Sequence, residues 1–469
     1  MKIVTLDKTS DTPLTEQIVQ NIKKLIDDRA LKNGSRMPSI RTFSTEHGVS
    51  RFTSVQAYDR LVAAGYLQSR QGSGFYVKIH SQYSGRAKPS IKLDRAMDVL
   101  WLLRSTLNQP SLKPAPGAGW LPHDWMDTAG IQRSLRSIAH RPGRHLTEYG
   151  TPQGYLPLRQ QIQQRLAELK IHIDADQILL TTGATHALDL IARYYVRPGD
   201  TVLVDDPGYF ILFGTLKSYG AKIIGVPWNE DGPDVEKFEQ LIKQHKPKLF
   251  FTNSILHNPT GASISQATAH RLLQHAENNK MIIIEDDVFS DFHPEKISRI
   301  ATLDQLKRVI YISSYSKTIS SAMRVGFIAC STDMVKQLTD LKLLSGITTS
   351  EINERMVSHM LASGQYRKYL NKLHKRLHRC RDIAFDNLGK LKLMPEIEPE
   401  GGLFLWSKMP EHIDIIKLSN RAAGLGMMFA PGNLFSPHQL PSQWMRFNIA
   451  SCNEAEHLSY LKKALISRT

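Results

Sequence analysis

The chain has 469 residues, 41% of them apolar, which exceeds one average domain and supports large cores; no apolar run approaches a bilayer span and the N-terminus lacks a signal-peptide core, so a cytoplasmic protein with no membrane contact is expected. Its three cysteines, Cys330, Cys380 and Cys452, have no CxxC spacing, which argues against a disulfide framework and a zinc site, and no metal is expected. A formal net charge of +16 favours a polyanion such as nucleic acid, or an anionic membrane surface, although charge spread over the whole length, with only residues 368–381 concentrated, also serves plain solubility.

Between residues 14 and 26, Leu14, Ile18, Ile22, Leu25 and Ile26 share one face at helical spacing with lysines opposite, which predicts an amphipathic first helix. A second short helix is expected from Ser39, after Pro38, to Gly48, and a third from an N-cap at Ser50 through Val55, Tyr58 and Leu61 to Gly65. The turn at Gly48 makes this a helix-turn-helix layout, in which Ser50, Arg51, Phe52 and Thr53 open the helix that enters the major groove. Gln71-Gly72-Ser73-Gly74 between Tyr66-Leu67-Gln68-Ser69-Arg70 and Phe75-Tyr76-Val77 predicts a hairpin, a small wing. A three-helix head can equally dock a protein or an oligomer partner; the wing and the arginines favour DNA. Together with Met37-Pro38-Ser39-Ile40-Arg41, these segments resemble the GntR-type winged helix-turn-helix over residues 1–78. The resemblance implies a double-stranded DNA operator contacted by Arg41, Arg51 and Thr53, with the wing's Gly72 approaching the backbone.

Residues 79–115 read as a linker, with an apolar stretch at 93–107 expected to form a short docked helix. From 116 onward strands and helices alternate. Candidate strands at 178–182, 201–204, 222–226, 249–252, 281–285, 309–313 and 325–330 predict a mostly parallel, buried sheet. The chain turns helical beyond about 331, and Gly401-Gly402-Leu403-Phe404-Leu405-Trp406 begins a further strand, which suits a small C-terminal α/β subdomain. The expected fold class is therefore a winged helix-turn-helix followed, over 116–469, by an α/β domain.

Chemistry concentrates at predicted strand ends. Ser313-Ser314-Tyr315-Ser316-Lys317 and then Arg324-Val325-Gly326 follow the 309–313 strand. A lysine amine, with an ordinary pKa near 10.4, becomes a nucleophile when desolvation or a neighbouring cation such as Arg324 lowers that value, and the planar fork of Arg324 suits a phosphate. A solvated lysine beside a turn is the plainer alternative. Thr181-Thr182-Gly183-Ala184-Thr185 opens a helix N-terminus suited to phosphate, or is a simple strand-to-helix turn. Asp205-Asp206-Pro207-Gly208-Tyr209 and His257-Asn258-Pro259-Thr260-Gly261 make further strand-end turns, and Glu285-Asp286-Asp287 puts acids at the end of a very apolar strand. Arg446, in Trp444-Met445-Arg446-Phe447-Asn448, can clamp a carboxylate or serve as an ion-pair partner on an edge strand.

In this order the segments resemble fold type I, pyridoxal-phosphate-dependent aminotransferases from about Pro116 to the C-terminus. The resemblance implies pyridoxal 5'-phosphate as cofactor, with Lys317 forming the internal aldimine. It also implies that Gly183, Ala184, Thr185, Ser314 and Arg324 hold the phosphate, Tyr209 stacks on the pyridine ring, Asn258 donates to the phenolic oxygen and Asp286 meets the pyridine nitrogen. Arg446 matches the arginine that pairs with an amino-acid carboxylate. Tyr149-Gly150, Gly154-Tyr155 and Leu158-Arg159 resemble the segment from which a partner subunit lends a tyrosine to the phosphate site, implying a homodimer. Related sequences carry a tyrosine two or three residues after the aspartate; Val288 and Phe289 stand there, so one hydrogen bond to the phenolic oxygen is missing and efficient transamination is in question. The whole arrangement resembles the MocR subgroup of GntR-type regulators. Two functions follow: a transcription factor in which pyridoxal phosphate, or its aldimine with a small amino compound, shifts the arrangement of the DNA-reading heads, or a working aminotransferase with an accessory DNA-binding domain.

Overall fold

Helix α1 (Leu14–Asp27) buries Ile18, Ile22 and Ile26, as its periodicity requires. Helix α2 (Ile40–His47) is capped by Ser39, whose hydroxyl accepts from the Thr42 N–H at 3.1 Å, and ends at Gly48 with φ 61°. Helix α3 (Arg51–Ala63) is capped by Ser50, which accepts from the Thr53 N–H at 3.0 Å. Buried Ser44 donates to Ser54 at 2.8 Å and ties α2 to α3. Strands β1 (Leu67–Arg70) and β2 (Gly74–Val77) form the antiparallel wing and bring Leu67 and Val77 into the core around Phe43 and Tyr58. The computed structural model describes residues 6–7, 10, 12–27, 31, 34–70, 73–77, 115–140 and 143–466. Gly72 and the expected short helix at 93–107 lie outside them. The chain divides into two units, Met1–Leu93 and Asp94–Thr469.

The second unit is built on strands β3 (Ile178–Thr181), β4 (Thr201–Asp206), β5 (Lys222–Asn229), β6 (Gly232–Pro233), β7 (Leu249–Thr252), β8 (Ile282–Asp286), β9 (Val309–Ser314) and β10 (Gly326–Ala329). They form one sheet in the order β3-β10-β9-β8-β7-β4-β5-β6. Neighbours along a strand enter opposite cores: Leu179, Val202 and Ile284 belong to one cluster, Leu180, Leu203 and Ile283 to the other. Both faces are thus buried, which is why these strands read as continuous apolar runs rather than alternations. Five strands, β9-β8-β7-β4-β5, run parallel. Strand β10 is antiparallel to both β3 and β9, because the helix-free connection 315–325 cannot carry a parallel crossover and must reverse. The two-residue edge strand β6 has no apolar pattern by which to be seen.

The C-terminal part adds a 26-residue helix, Gln365–Lys390, and a small antiparallel sheet of β11 (Phe404–Lys408), β12 (Ala430–Pro431) and β13 (Trp444–Asn448), ordered β11-β13-β12. Arg446 consequently sits on the central strand, not on an edge, since the short β12 pairs along its open side. Among the described residues no helix is long and apolar enough to cross a membrane, and no group of histidines, cysteines and acids is placed to hold a metal.

Candidate functional site

The reversal between β9 and β10 makes the loop that carries Lys317. Ser314 Oγ donates to the Val325 carbonyl at 2.9 Å and the Tyr315 N–H donates to the same oxygen at 3.0 Å, so both ends of the loop are pinned. Lys317 Nζ donates to the Gly119 carbonyl at 2.7 Å and lies 5.4 Å from the centre of the Phe289 ring. Burial draws its pKa down to about 8, with Arg446 and Arg324 acting in the same direction and Asp286 against them. This is an enclosed amine close to deprotonation, not the solvated lysine of the plainer alternative.

Asp286 ends β8 at the same sheet edge. Its Oδ1 is buried and among the described residues has no hydrogen-bond partner, and burial, helped by the neighbouring Asp287, raises its pKa to about 7. The adjacent acids have structural partners. Glu285 accepts from the N–H groups of Ile300 and Ala301, at 2.9 and 2.8 Å, and Asp287 pairs with Arg299 at 3.0 Å and with Tyr311. Asp287 Oδ1 is likewise buried without a partner, but Asp287 is engaged by Arg299 and Tyr311, whereas the charge of Asp286 acts on Lys317, and its open oxygen suits a ring N–H donor. Asn253 fixes the surroundings: its Nδ2 donates to the Asp286 carbonyl at 2.7 Å, its Oδ1 accepts the Asn258 N–H at 2.7 Å, and its own N–H donates to Asp205 at 2.8 Å. Sequence reasoning missed Asn253, which stands just beyond β7 with no motif around it.

Arg446 reaches across to this edge. It is 4% exposed, donates to Asn258 Oδ1 at 2.5 Å and to the Gly117 carbonyl at 2.6 Å, and lies over the rings of Phe404 (4.4 Å) and Phe435 (4.8 Å). Among the described residues no carboxylate pairs with it, its Nε has no partner, and burial lowers its pKa to about 9. A buried guanidinium without an acid is a costly arrangement that an anionic ligand relieves, which the ion-pair alternative does not provide. The segment 116–120 closes the gap between Arg446 and Lys317. Gly117 and Gly119 offer them carbonyls, and Asn448 Nδ2 holds the segment through Ala118 and Trp120 at 2.9 and 2.8 Å. A Cβ at Gly117 would lie 2.4 Å from the Ala430 nitrogen. The run Pro116-Gly117-Ala118-Gly119 was the available sequence signal.

At β3 the helix Gly183–Tyr195 begins at Thr182 without a side-chain cap, leaving its first N–H groups, those of Gly183, Ala184 and Thr185, as an anion cradle. Arg324 is exposed and donates to the Thr182 carbonyl at 3.3 Å and to Ser316 Oγ at 3.5 Å. Gly326 permits the approach, since a Cβ there would lie 2.7 Å from the Gly183 backbone. The hydroxyl of Ser314 is spent on Val325 and on Ser316 Oγ at 3.0 Å, so Ser316 is the serine nearer to Arg324. Burial, with the charge of Asp286 adding to it, holds the pKa of Tyr209 up to about 12. Phe289 is the one beneath Lys317: it is buried edge-on to Phe404 at 5.1 Å, while Val288 is partly buried against the same core. Tyr149 is 78% exposed and is not enclosed with the other residues.

In the head, Arg41, Arg51 and Phe52 are exposed, Phe52 by 69%, while Ser50 and Thr53 bond to each other at 2.8 Å as a helix cap. Arg70 stacks on Tyr76 at 4.5 Å in the wing.

Residues 121–463 match the family model "Aminotransferase class I and II", and residues 14–77 match that of the bacterial regulatory proteins, gntR family. The chain belongs to the aminotransferase class I and II family. It carries that domain behind a GntR-type head, the MocR-like arrangement. The uncharacterized HTH-type transcriptional regulator YdfD of Bacillus subtilis is 28% identical over 92% of this chain and 91% of its own length. Aromatic-amino-acid aminotransferase 1 of Thermococcus litoralis is 27% identical over 71% of this chain and 82% of its own. Among solved structures, Pyrococcus horikoshii kynurenine aminotransferase in complex with PMP superposes with a TM-score of 0.71 at 26% identity, covering 78% of this chain and 92% of that one.

Proposed function

We propose that this aminotransferase-family chain is a cytoplasmic, homodimeric transcriptional regulator that binds pyridoxal 5'-phosphate and senses a small amino compound at Lys317. The observation that carries the ligand reading is Arg446, a buried guanidinium without an acid partner, placed beside an amine whose pKa lies near 8. Pyridoxal phosphate supplies an aldehyde that condenses with amines and a ring that withdraws electrons. The unsatisfied Asp286 Oδ1, the uncapped helix at Gly183 and the outward Arg324 fit its ring nitrogen and phosphate. Tyr209 would cover the ring, Asn258 would donate to the phenolic oxygen, and Ser314 and Ser316 would line the phosphate side. Arg446 would orient a carboxylate, and Gly119 holds the Lys317 amine until it reacts. The exposed Tyr149 suits a role in the partner subunit's phosphate site, which supports the homodimer.

The exposed Arg41 in α2 and Arg51 opening α3, on a GntR-type head, support an operator. Arg51→Ala should weaken specific binding by about 1 to 3 kcal/mol at fixed salt while the cofactor spectrum stays the same. An unaltered operator affinity would remove Arg51 from the interface.

An aminotransferase with an accessory head is the second reading, favoured by the intact Lys317, Asp286, Asn258 and Arg446. Phe289 weighs against it, because a phenyl ring beside Lys317 offers no hydroxyl to the phenolic oxygen and so aligns the ring less well for proton removal. Mixing the loaded protein with amino acids that change its spectrum separates the two. A complex that persists for minutes supports the sensor; conversion to pyridoxamine phosphate within seconds establishes the enzyme.

A further inference from the structure

A cavity of about 490 Å³ opens between the large sheet and the small one, and Lys317 is not among its lining residues. Three of the chain's six tryptophans line it, Trp228, Trp406 and Trp444, together with three acids, Asp206, Glu230 and Glu396. Among the described residues no lysine, arginine or histidine lines it, although the chain carries a net charge of +16. Among the described residues none of the three carboxylates has an ion-pair partner.

The walls are built, not incidental. Trp228 lies flat on buried His257, with ring centres 3.9 Å apart and planes within 10°, and lines the cavity. Trp406 and Trp444 lie parallel, 5.9 Å apart and within 3°, and Phe435 braces Trp406 edge-on at 5.5 Å. Trp406 stands directly opposite Arg446 on β11 and β13, and Trp444 precedes Arg446 by two residues on β13, so all three share one face of the small sheet. Aromatic faces attract cations through the ring quadrupole, and unpaired carboxylates add a charge that the tryptophans cannot supply.

We propose that this cavity is a non-covalent binding site for a small organic cation of the alkylammonium class, distinct from the Lys317 centre. Its occupant touches strand ends of the large sheet, through Asp206, Trp228 and Glu230, and strands of the small sheet, through Trp406 and Trp444. The strand that carries Arg446 therefore also forms a wall of the second site.

The test is titration of the full chain with tetramethylammonium chloride at constant ionic strength, read by tryptophan fluorescence against sodium chloride. A quaternary ammonium has no N–H and cannot condense with an aldehyde, so the signal is independent of the sensing chemistry at Lys317. Saturable quenching that is weakened roughly tenfold or more by Glu230→Gln combined with Glu396→Gln, and retained in Lys317→Ala, is expected. Trp444→Phe, which keeps an aromatic face, should reduce the amplitude while leaving binding in place. Quenching no greater than with sodium chloride, quenching unchanged in the double variant, or quenching lost in Lys317→Ala would each overturn the assignment.

Discussion

Lys317→Ala should abolish the aldimine band expected of the wild-type chain with pyridoxal phosphate, since that band requires a Schiff base between the lysine amine and the cofactor aldehyde, whereas unreacted cofactor shows only the absorption of its free aldehyde. The variant should fold. The side chain makes one hydrogen bond, to the Gly119 carbonyl, and the loop is pinned by Ser314, Tyr315 and Val325 rather than by the lysine. Weaker, non-covalent retention of the cofactor by the Gly183 cradle and Arg324 is expected to remain. In the wild type, burial and the nearby arginines place the amine near pKa 8, so it is charged below that value and neutral above it. The rate at which cofactor-free protein captures pyridoxal phosphate should therefore rise about tenfold per pH unit below 8 and flatten above it. A spectrum unchanged in Lys317→Ala would remove this lysine from the site.

The second large effect is expected at Arg446. Removing a charged, forked hydrogen-bond donor from a carboxylate costs about 2 to 3 kcal/mol, so Arg446→Leu should bind amino acids roughly 30- to 150-fold more weakly. The loss should be confined to ligands with a carboxylate. An amine that corresponds to the amino acid without its carboxylate should bind wild type and variant alike. Leucine also strands Asn258 Oδ1 and the Gly117 carbonyl, which can lower stability by about 1 to 3 kcal/mol each, so Arg446→Lys, with its charge but without the fork, is the companion variant. Equal losses for the amine and the amino acid would show that Arg446 only braces the fold.

Much of the architecture was legible because the deciding signals are local. Ser39, Ser50 and Gly48 cap helices through their own chemistry, and the buried strands declare themselves as β-branched runs bounded by turns. Strand β10 was visible but its direction was not, since direction depends on whether the preceding loop has room for a helix. Arg446 was found by type and neighbours, yet its place on a central strand rests on a two-residue pairing with β12 that leaves no pattern. Gly117, Gly119 and Asn253 contribute through backbone carbonyls and a bridging amide. Such groups are common to every residue or to every asparagine, and only the fold shows where they point. That the Phe289 ring lies under Lys317 was likewise visible only in the fold.

The central claim is that a ligand bound at Lys317 alters DNA reading, and operator affinity of the full, pyridoxal-phosphate-loaded chain at fixed salt tests it most directly. The measurement is made with and without a saturating amino acid that perturbs the cofactor spectrum. A cofactor-linked regulator should change its operator affinity by about 5- to 150-fold on adding the amino acid, equivalent to a coupling of about 1 to 3 kcal/mol, and Lys317→Ala should show no change. An operator affinity in the wild type that stays constant while the amino acid saturates the cofactor site would contradict it.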